Sequence, residues 1–141
     1  MNLYAESSAV LAWLLDEETA PVVRQLLTEA ETIVASDLTL IECDRVLIRA
    51  INLGELTEAE AADRRAHLSA AASHWHVLRI ANEVVDRARQ PFPGEPIRTL
   101  DAIHVASALV ARSVVSGLVM LSLDERVRDV AKKLGVEVLP R

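Results

Sequence analysis

Short apolar runs alternate with amphipathic stretches along the whole chain, and this alternation predicts its elements. Leu3 to Ala5 reads as a strand at the N-terminus. Glu6 closes it, and Ser7 or Ser8 is placed to cap a helix beginning at Ala9. Val10, Trp13 and Leu14 share one face of that helix. Asp16 to Thr19 is a polar break, and Pro21 suits the first turn of a second helix running to about Ala30. Thr32 to Ser36 is short and β-branched, a buried strand; Ser36 or Asp37 then caps a helix from Leu38 to Ile51, stopped by Asn52 and Gly54. Leu40, Leu47, Ile48 and Ile51 form its apolar stripe, and Glu42 projects away from it with Arg45 and Arg49 as surface partners. Asp44 falls inside the stripe, so it is expected to pair with an arginine or lie in a subunit contact.

Thr57 with Glu60 three residues on is a capping box. It opens a helix to Ser73 whose Ala61, His67 and many alanines predict tight packing against another helix. His74, Trp75 and His76 precede a strand at Val77 to Ile80. Nothing nearby completes a ligand set around the two histidines, so a surface or interface role outweighs metal binding. Asn82 caps a helix to about Gln90. The only breaker-rich loop, Pro91 to Pro96, then leads into the stretch Arg98 to Ala111. There Thr99 can cap a helix and Asp101 lies in its first turn, where the helix dipole favours negative charge. The small apolar residues that follow predict a helix through the core. Gly117 to Leu121 is a fourth strand, and Ser122 and Asp124 follow it. Asp124 starts a helix carrying Arg126, Arg128, Lys132 and Lys133, which Gly135 ends before a last strand at Val136 to Leu139. Strands alternating with helices throughout predict the α/β class: one domain over residues 1–141, with a mainly parallel five-stranded sheet and helices on both faces.

Composition narrows what such a domain does. Half of the 141 residues are apolar, enough for a real core, and few are aromatic, which disfavours a base-stacking platform. Fifteen basic against twenty-one acidic residues give a net charge of −6, which argues against a non-specific nucleic-acid coat but leaves room for a local basic rim. The single cysteine, Cys43, excludes an intramolecular disulfide and a thiolate zinc site. No signal-like N-terminus and no membrane-length apolar run are present, so a cytoplasmic protein without membrane association is expected.

The placement of four acids carries the chemistry. Glu6 and Asp124 end strands, while Glu42 and Asp101 are placed in the first turns of helices that follow a strand or loop. In a parallel sheet these junctions open on the carboxyl edge. Taken singly, each acid has an ordinary explanation as a cap or a surface pair. Together they would repel one another unless a divalent cation neutralised them, and their oxygen donors suit Mg²⁺ or Mn²⁺.

With these positions in hand, the chain resembles the PIN-domain family, specifically the VapC-type toxin ribonucleases of type II toxin–antitoxin pairs. The resemblance covers nearly the whole chain. It rests on Tyr4–Ala9, on Ala35–Glu42, on Leu121–Arg126 with Leu134-Gly135 and, most specifically, on Arg98–His104. One departure stands out: Glu6 occupies a position where the family usually has Asp. The resemblance implies a metal-dependent endoribonuclease that hydrolyses RNA phosphodiester bonds with Mg²⁺, Mn²⁺ being able to substitute. The ion lowers the pKa of a water that attacks phosphorus and takes up charge on the leaving 3′ oxygen. It further implies Glu6, Glu42, Asp101 and Asp124 as the catalytic set, with Glu6, Asp101 and Asp124 as metal ligands and Glu42 holding a water or a second ion. Ser7, Ser122, Arg98 and Arg126 are then candidates for positioning water or the RNA backbone. His104 is read as a buried structural histidine rather than a base. The expected partners are RNA, a cognate antitoxin and a second copy of the chain.

Two other readings compete. A catalytically weak PIN domain acting as a binding or regulatory module is motivated by Glu6. An unrelated Mg²⁺ phosphotransfer enzyme would need an aspartyl nucleophile after the first strand, which Glu6 disfavours.

Overall fold

The computed structural model describes residues 1–141 and contains five strands and seven helices. The strands are β1 (Asn2–Ala5), β2 (Thr32–Ser36), β3 (His76–Leu78), β4 (Leu118–Leu121) and β5 (Val138–Leu139). The helices are α1 (Ser7–Leu14), α2 (Ala20–Glu29), α3 (Asp37–Asn52), α4 (Glu58–Ala72), α5 (Asn82–Ala88), α6 (Thr99–Val114) and α7 (Glu125–Lys133). All strands pair in parallel, in the order β3-β2-β1-β4-β5. The expected α/β architecture is therefore present.

Side-chain alternation in β1 shows how the sheet is covered. Tyr4 points into one core with Met120, Val105 of α6, Val84 of α5 and Val127 of α7. Leu3 and Ala5 point the other way, to Val23 of α2, Val10 of α1, Cys43 of α3 and Leu68 of α4. Helices α1–α4 thus cover one face and α5–α7 the other. Complete burial of Tyr4 without a firm hydrogen-bond partner pushes its phenol up to about 12, so it is an apolar wedge and not an acid.

Several boundaries shift from those predicted. Helix α1 starts at Ser7 with Glu6 at the N-cap, and neither Ser7 nor Ser8 caps it, because both hydroxyls are taken by Glu6 itself. Arg98 rather than Thr99 precedes α6, and Ala81 rather than Asn82 precedes α5. Strands β3 and β5 are shorter than predicted. Ser36 caps α3 through Thr39 N–H, and the Thr57–Glu60 capping box opens α4. Asp44 pairs with Arg65 of α4 at 3.3 Å.

The buried face of α3 is Thr39, Cys43, Leu47 and Ala50, a stripe rotated from the predicted one. Small Thr39 buries because its hydroxyl donates to Ala5 O at 3.1 Å. Helix α4 packs less than its alanines suggested. Only Ala61 and Leu68 are buried, and His67 is exposed, since alanine demands no burial.

Candidate active site

The chain leaves β1 toward β2 on one side while β4 lies on the other, so the sheet's topological switch falls between β1 and β4. Open α/β sheets carry a crevice outside the carboxyl ends of the strands at such a point. Glu6 follows β1 there, tied to the neighbouring strand by its N–H donating to Leu121 O at 3.0 Å, and Ser122 and Asp124 follow β4. The crevice is a cleft of about 420 Å³ whose lining includes Glu6, Ser7, Glu42, Asp101, His104 and Asp124. All four predicted acids face one space.

Within the cleft the acids form two groups. The inner group is Glu6 and Glu42 with His104. Glu6 is buried, and its Oε2 accepts from Ser8 and, at 2.8 Å, from Ser122 Oγ. Ser7 Oγ lies 2.8 Å from Glu6 Oε1 and 3.0 Å from Glu42 Oε1, so its single proton serves two carboxylates. Ser8 Oγ also accepts from the N–H groups of Leu123 and Asp124, at 2.8 and 3.1 Å, which ties the β4–α7 turn to α1.

Glu42 lies in the second turn of α3, one turn deeper than a first-turn position, and does not pair with Arg45 or Arg49. Its Oε1 is hydrogen-bonded to His104 Nε2. Burial raises the Glu42 carboxyl, but the hydrogen bond and charge of His104, with help from Ser7, outweigh it and hold the group below the ordinary glutamate value. His104 Nε2 also lies 3.6 Å from Glu6 Oε1 and 3.2 Å from Ser7 Oγ. Its Nδ1 is buried without a partner, so Nε2 alone carries the contacts of the ring in the cleft. His104 is thus the site residue that sequence reasoning assigned to the core. The signal available was its position one turn after Asp101.

The outer group is Asp101 and Asp124 with Arg98. Arg98 Nε donates to Asp101 Oδ2 at 2.9 Å, and a terminal nitrogen lies 3.8 Å from Asp124 Oδ2. The bond and charge of Asp101 hold the guanidinium above its ordinary value. The other oxygen of Asp124 caps α7, accepting from Arg126 N–H at 2.9 Å and Val127 N–H at 3.2 Å. Arg126 itself points into an adjoining pocket.

The donor chemistry fits a hard divalent cation. Donor atoms of Glu6, Glu42 and His104 lie within 4.8 Å of one another, and Asp101 and Asp124 add carboxylates in the same cleft. The one sulfur near the acids, Cys43, lies outside the cleft lining, and burial pushes its thiol up to about 12. The cleft therefore offers carboxylates and one imidazole but no thiolate.

The family model of the PIN domain matches residues 3–133. The chain belongs to the PIN domain family. Ribonuclease VapC46 of Mycobacterium tuberculosis (strain ATCC 25618 / H37Rv) is 35% identical over 137 residues, 97% of this chain and 95% of that protein. Among solved structures, FitAcB from Neisseria gonorrhoeae superposes with a TM-score of 0.72 at 17% identity, covering 99% of this PIN domain and 97% of that chain. Mycobacterium tuberculosis VapC20, described as a sarcin-ricin loop cleaving toxin, gives 0.63 at 12% identity, over 90% and 93% of the two chains. At those identities the structural likeness speaks to the fold. No helix of the PIN domain is long and apolar enough to cross a membrane.

Proposed function

We propose that this PIN domain is a VapC-like endoribonuclease toxin that hydrolyses RNA phosphodiester bonds with Mg²⁺ or Mn²⁺ and is inhibited by a cognate antitoxin. The observation that carries the reading is the meeting of Glu6, Glu42, Asp101 and Asp124 in one cleft of a chain 35% identical to a VapC ribonuclease. The reading places the protein in the cytoplasm, as a homodimer, with RNA as substrate. Leu100, about half exposed at the cleft, offers an apolar contact to an antitoxin segment lying across the acids.

Glu6, Asp101 and Asp124 would hold the cation. A divalent ion bound there supplies charge neutralisation, a more acidic water and stabilisation of the leaving 3′ oxygen. Glu42, kept ionised by His104 and Ser7, accepts a proton or a hydrogen bond from the attacking water. Ser8 and Ser122 fix the Glu6 carboxylate, so it enters the reaction already oriented. Arg98 is more than half exposed and free to swing from Asp101 to a phosphate oxygen.

Cleavage of mixed cellular RNA with Mn²⁺, wild type against Asp101→Asn, tests the reading. Metal-dependent fragments from the wild type alone support it. The second reading, a weak catalyst that acts by binding, is favoured by the hydroxyls already engaged on Glu6 and by Arg98 on Asp101. RNA binding without cleavage by the wild type would select it.

A further inference from the structure

Beside the acidic cleft lies a second pocket of about 430 Å³, and the two share Arg98 and Asp101 as a common wall. Arg126 and Lys133, both on α7, line the far side of this pocket. Neither has an ion-pair partner, whereas Arg98 is paired with Asp101. Asp129 is the remaining carboxylate in the lining, so three cations face two acids, one of them already neutralised. Unpaired basic groups gathered in one place are notable in a chain of net charge −6.

The loop before α6 approaches the ammonium closely. A Cβ at Gly94 would lie 2.7 Å from Lys133 Nζ, and Gly94 has φ +83°, a conformation open to glycine without strain. A side chain there would push the ammonium out of its place. The loop and α7 together leave room for a cation one pocket away from the acids.

We infer that this pocket is a phosphate subsite of the RNA groove, in which Arg126 and Lys133 bind a backbone phosphate next to the one cleaved. The inference rests on the ribonuclease reading. The physical need is plain: a polyanion gains little from the overall field of an acidic protein, so its docking depends on local cations. Arg126 presents a planar fork for two phosphate oxygens, and Lys133 a point charge. Contacts to phosphate carry no base information, so the subsite sets position and affinity on the strand, not sequence choice.

The test is equilibrium binding of a fluorescent single-stranded oligouridine of about 12 nucleotides over a salt series, in an Asp101→Asn background so that cleavage does not intrude. Arg126→Ala and Lys133→Ala should each weaken binding roughly tenfold at low salt. Each should also lower the slope of log affinity against log salt by about 0.7. Lys132→Ala, an exposed change on the same helix but outside the pocket, should do neither. Unchanged binding in the two pocket variants overturns the inference, as does equal weakening by Lys132→Ala or no binding by the parent. Failure of the ribonuclease reading looks different: wild-type protein would leave RNA intact while the pocket variants still lost affinity.

Discussion

Glu42 on α3 and His104 on α6 belong to helices on opposite faces of the sheet, yet their side chains are hydrogen-bonded to each other beyond its carboxyl edge. Ser7, at the start of α1, touches both. Three elements distant in sequence therefore fix the orientation of one carboxylate. Replacing His104 with Leu would leave Glu42 partly buried with only the Ser7 proton, which it shares with Glu6. Loss of such a positioning partner typically costs about 10–100-fold in activity or metal affinity. Cleavage by His104→Leu should fall in that range, and His104→Gln, which keeps a donor, should recover part of it. Equal losses in the two variants, or none, would remove His104 from the site.

Arg98 makes a separate prediction. It neutralises Asp101 and approaches Asp124, so it stands where a cation's charge is needed. Arg98→Ala should lower the melting temperature of the metal-free protein by uncovering the acids. It should also enlarge the rise produced by Mn²⁺, because the cation no longer competes with the guanidinium. Asp101→Asn should instead shrink that rise relative to wild type. A thermal-shift titration of the three proteins reads both effects. The same Mn²⁺-dependent rise in all three would place the ion elsewhere.

The sheet and its helices are legible because their signals are local: β-branched runs, the Ser36 and Thr57 caps, and glycine stops recover the elements with small boundary shifts. The convergence of Glu6, Asp101 and Asp124 follows from parallel topology, since each stands beside a strand end or at a helix start. Glu42 is turned otherwise than the apolar stripe predicts, because Thr39 and Cys43 are buried, which rotates α3 and points Glu42 toward α6. His104 shows the complementary blindness. Its small apolar neighbours Ala102, Val105 and Ala106 mark a buried helix, and only tertiary packing reveals that the histidine's tip reaches two carboxylates. The Arg126–Lys133 pocket depends on a loop folding over α7, which no local pattern encodes.

Away from the site, the α4 capping box gives a pH prediction. Glu60 accepts from Thr57 N–H, and Thr57 Oγ1 accepts from Glu60 N–H, both at 3.1 Å. The backbone hydrogen bond from Thr57 holds the Glu60 carboxyl below its ordinary value. A lowered folded-state value means stability that is fully present above the unfolded value, about 4.3, and is lost as pH falls through the folded one. Glu60→Gln keeps an acceptor and removes the titration. Urea unfolding of both proteins from about pH 6 to about pH 3 should show the wild type's advantage disappearing at the acid end. A constant difference across that range would show that the carboxylate charge adds nothing to the cap.

Glu6 is the departure from the usual family residue, and its surroundings decide what shortening it would do. Oε2 takes hydrogen bonds from Ser8 and Ser122 and Oε1 takes one from Ser7, so the pocket is built around the longer side chain. Glu6→Asp would draw the carboxylate back by about one bond length, leaving buried hydroxyls unpaired and the cation displaced. Glu6→Gln keeps the size but brings no charge to hold the ion. Single-turnover RNA cleavage across a Mg²⁺ titration should therefore rank wild type first, with Glu6→Asp reduced most at limiting Mg²⁺ and Glu6→Gln well below wild type throughout. Glu6→Asp should also melt below wild type without metal, because the hydroxyls of Ser7, Ser8 and Ser122 lose their buried acceptor. A faster Glu6→Asp enzyme would mean that the glutamate pushes the ion off its best position. Indistinguishable rates in all three would show that the remaining acids hold the cation.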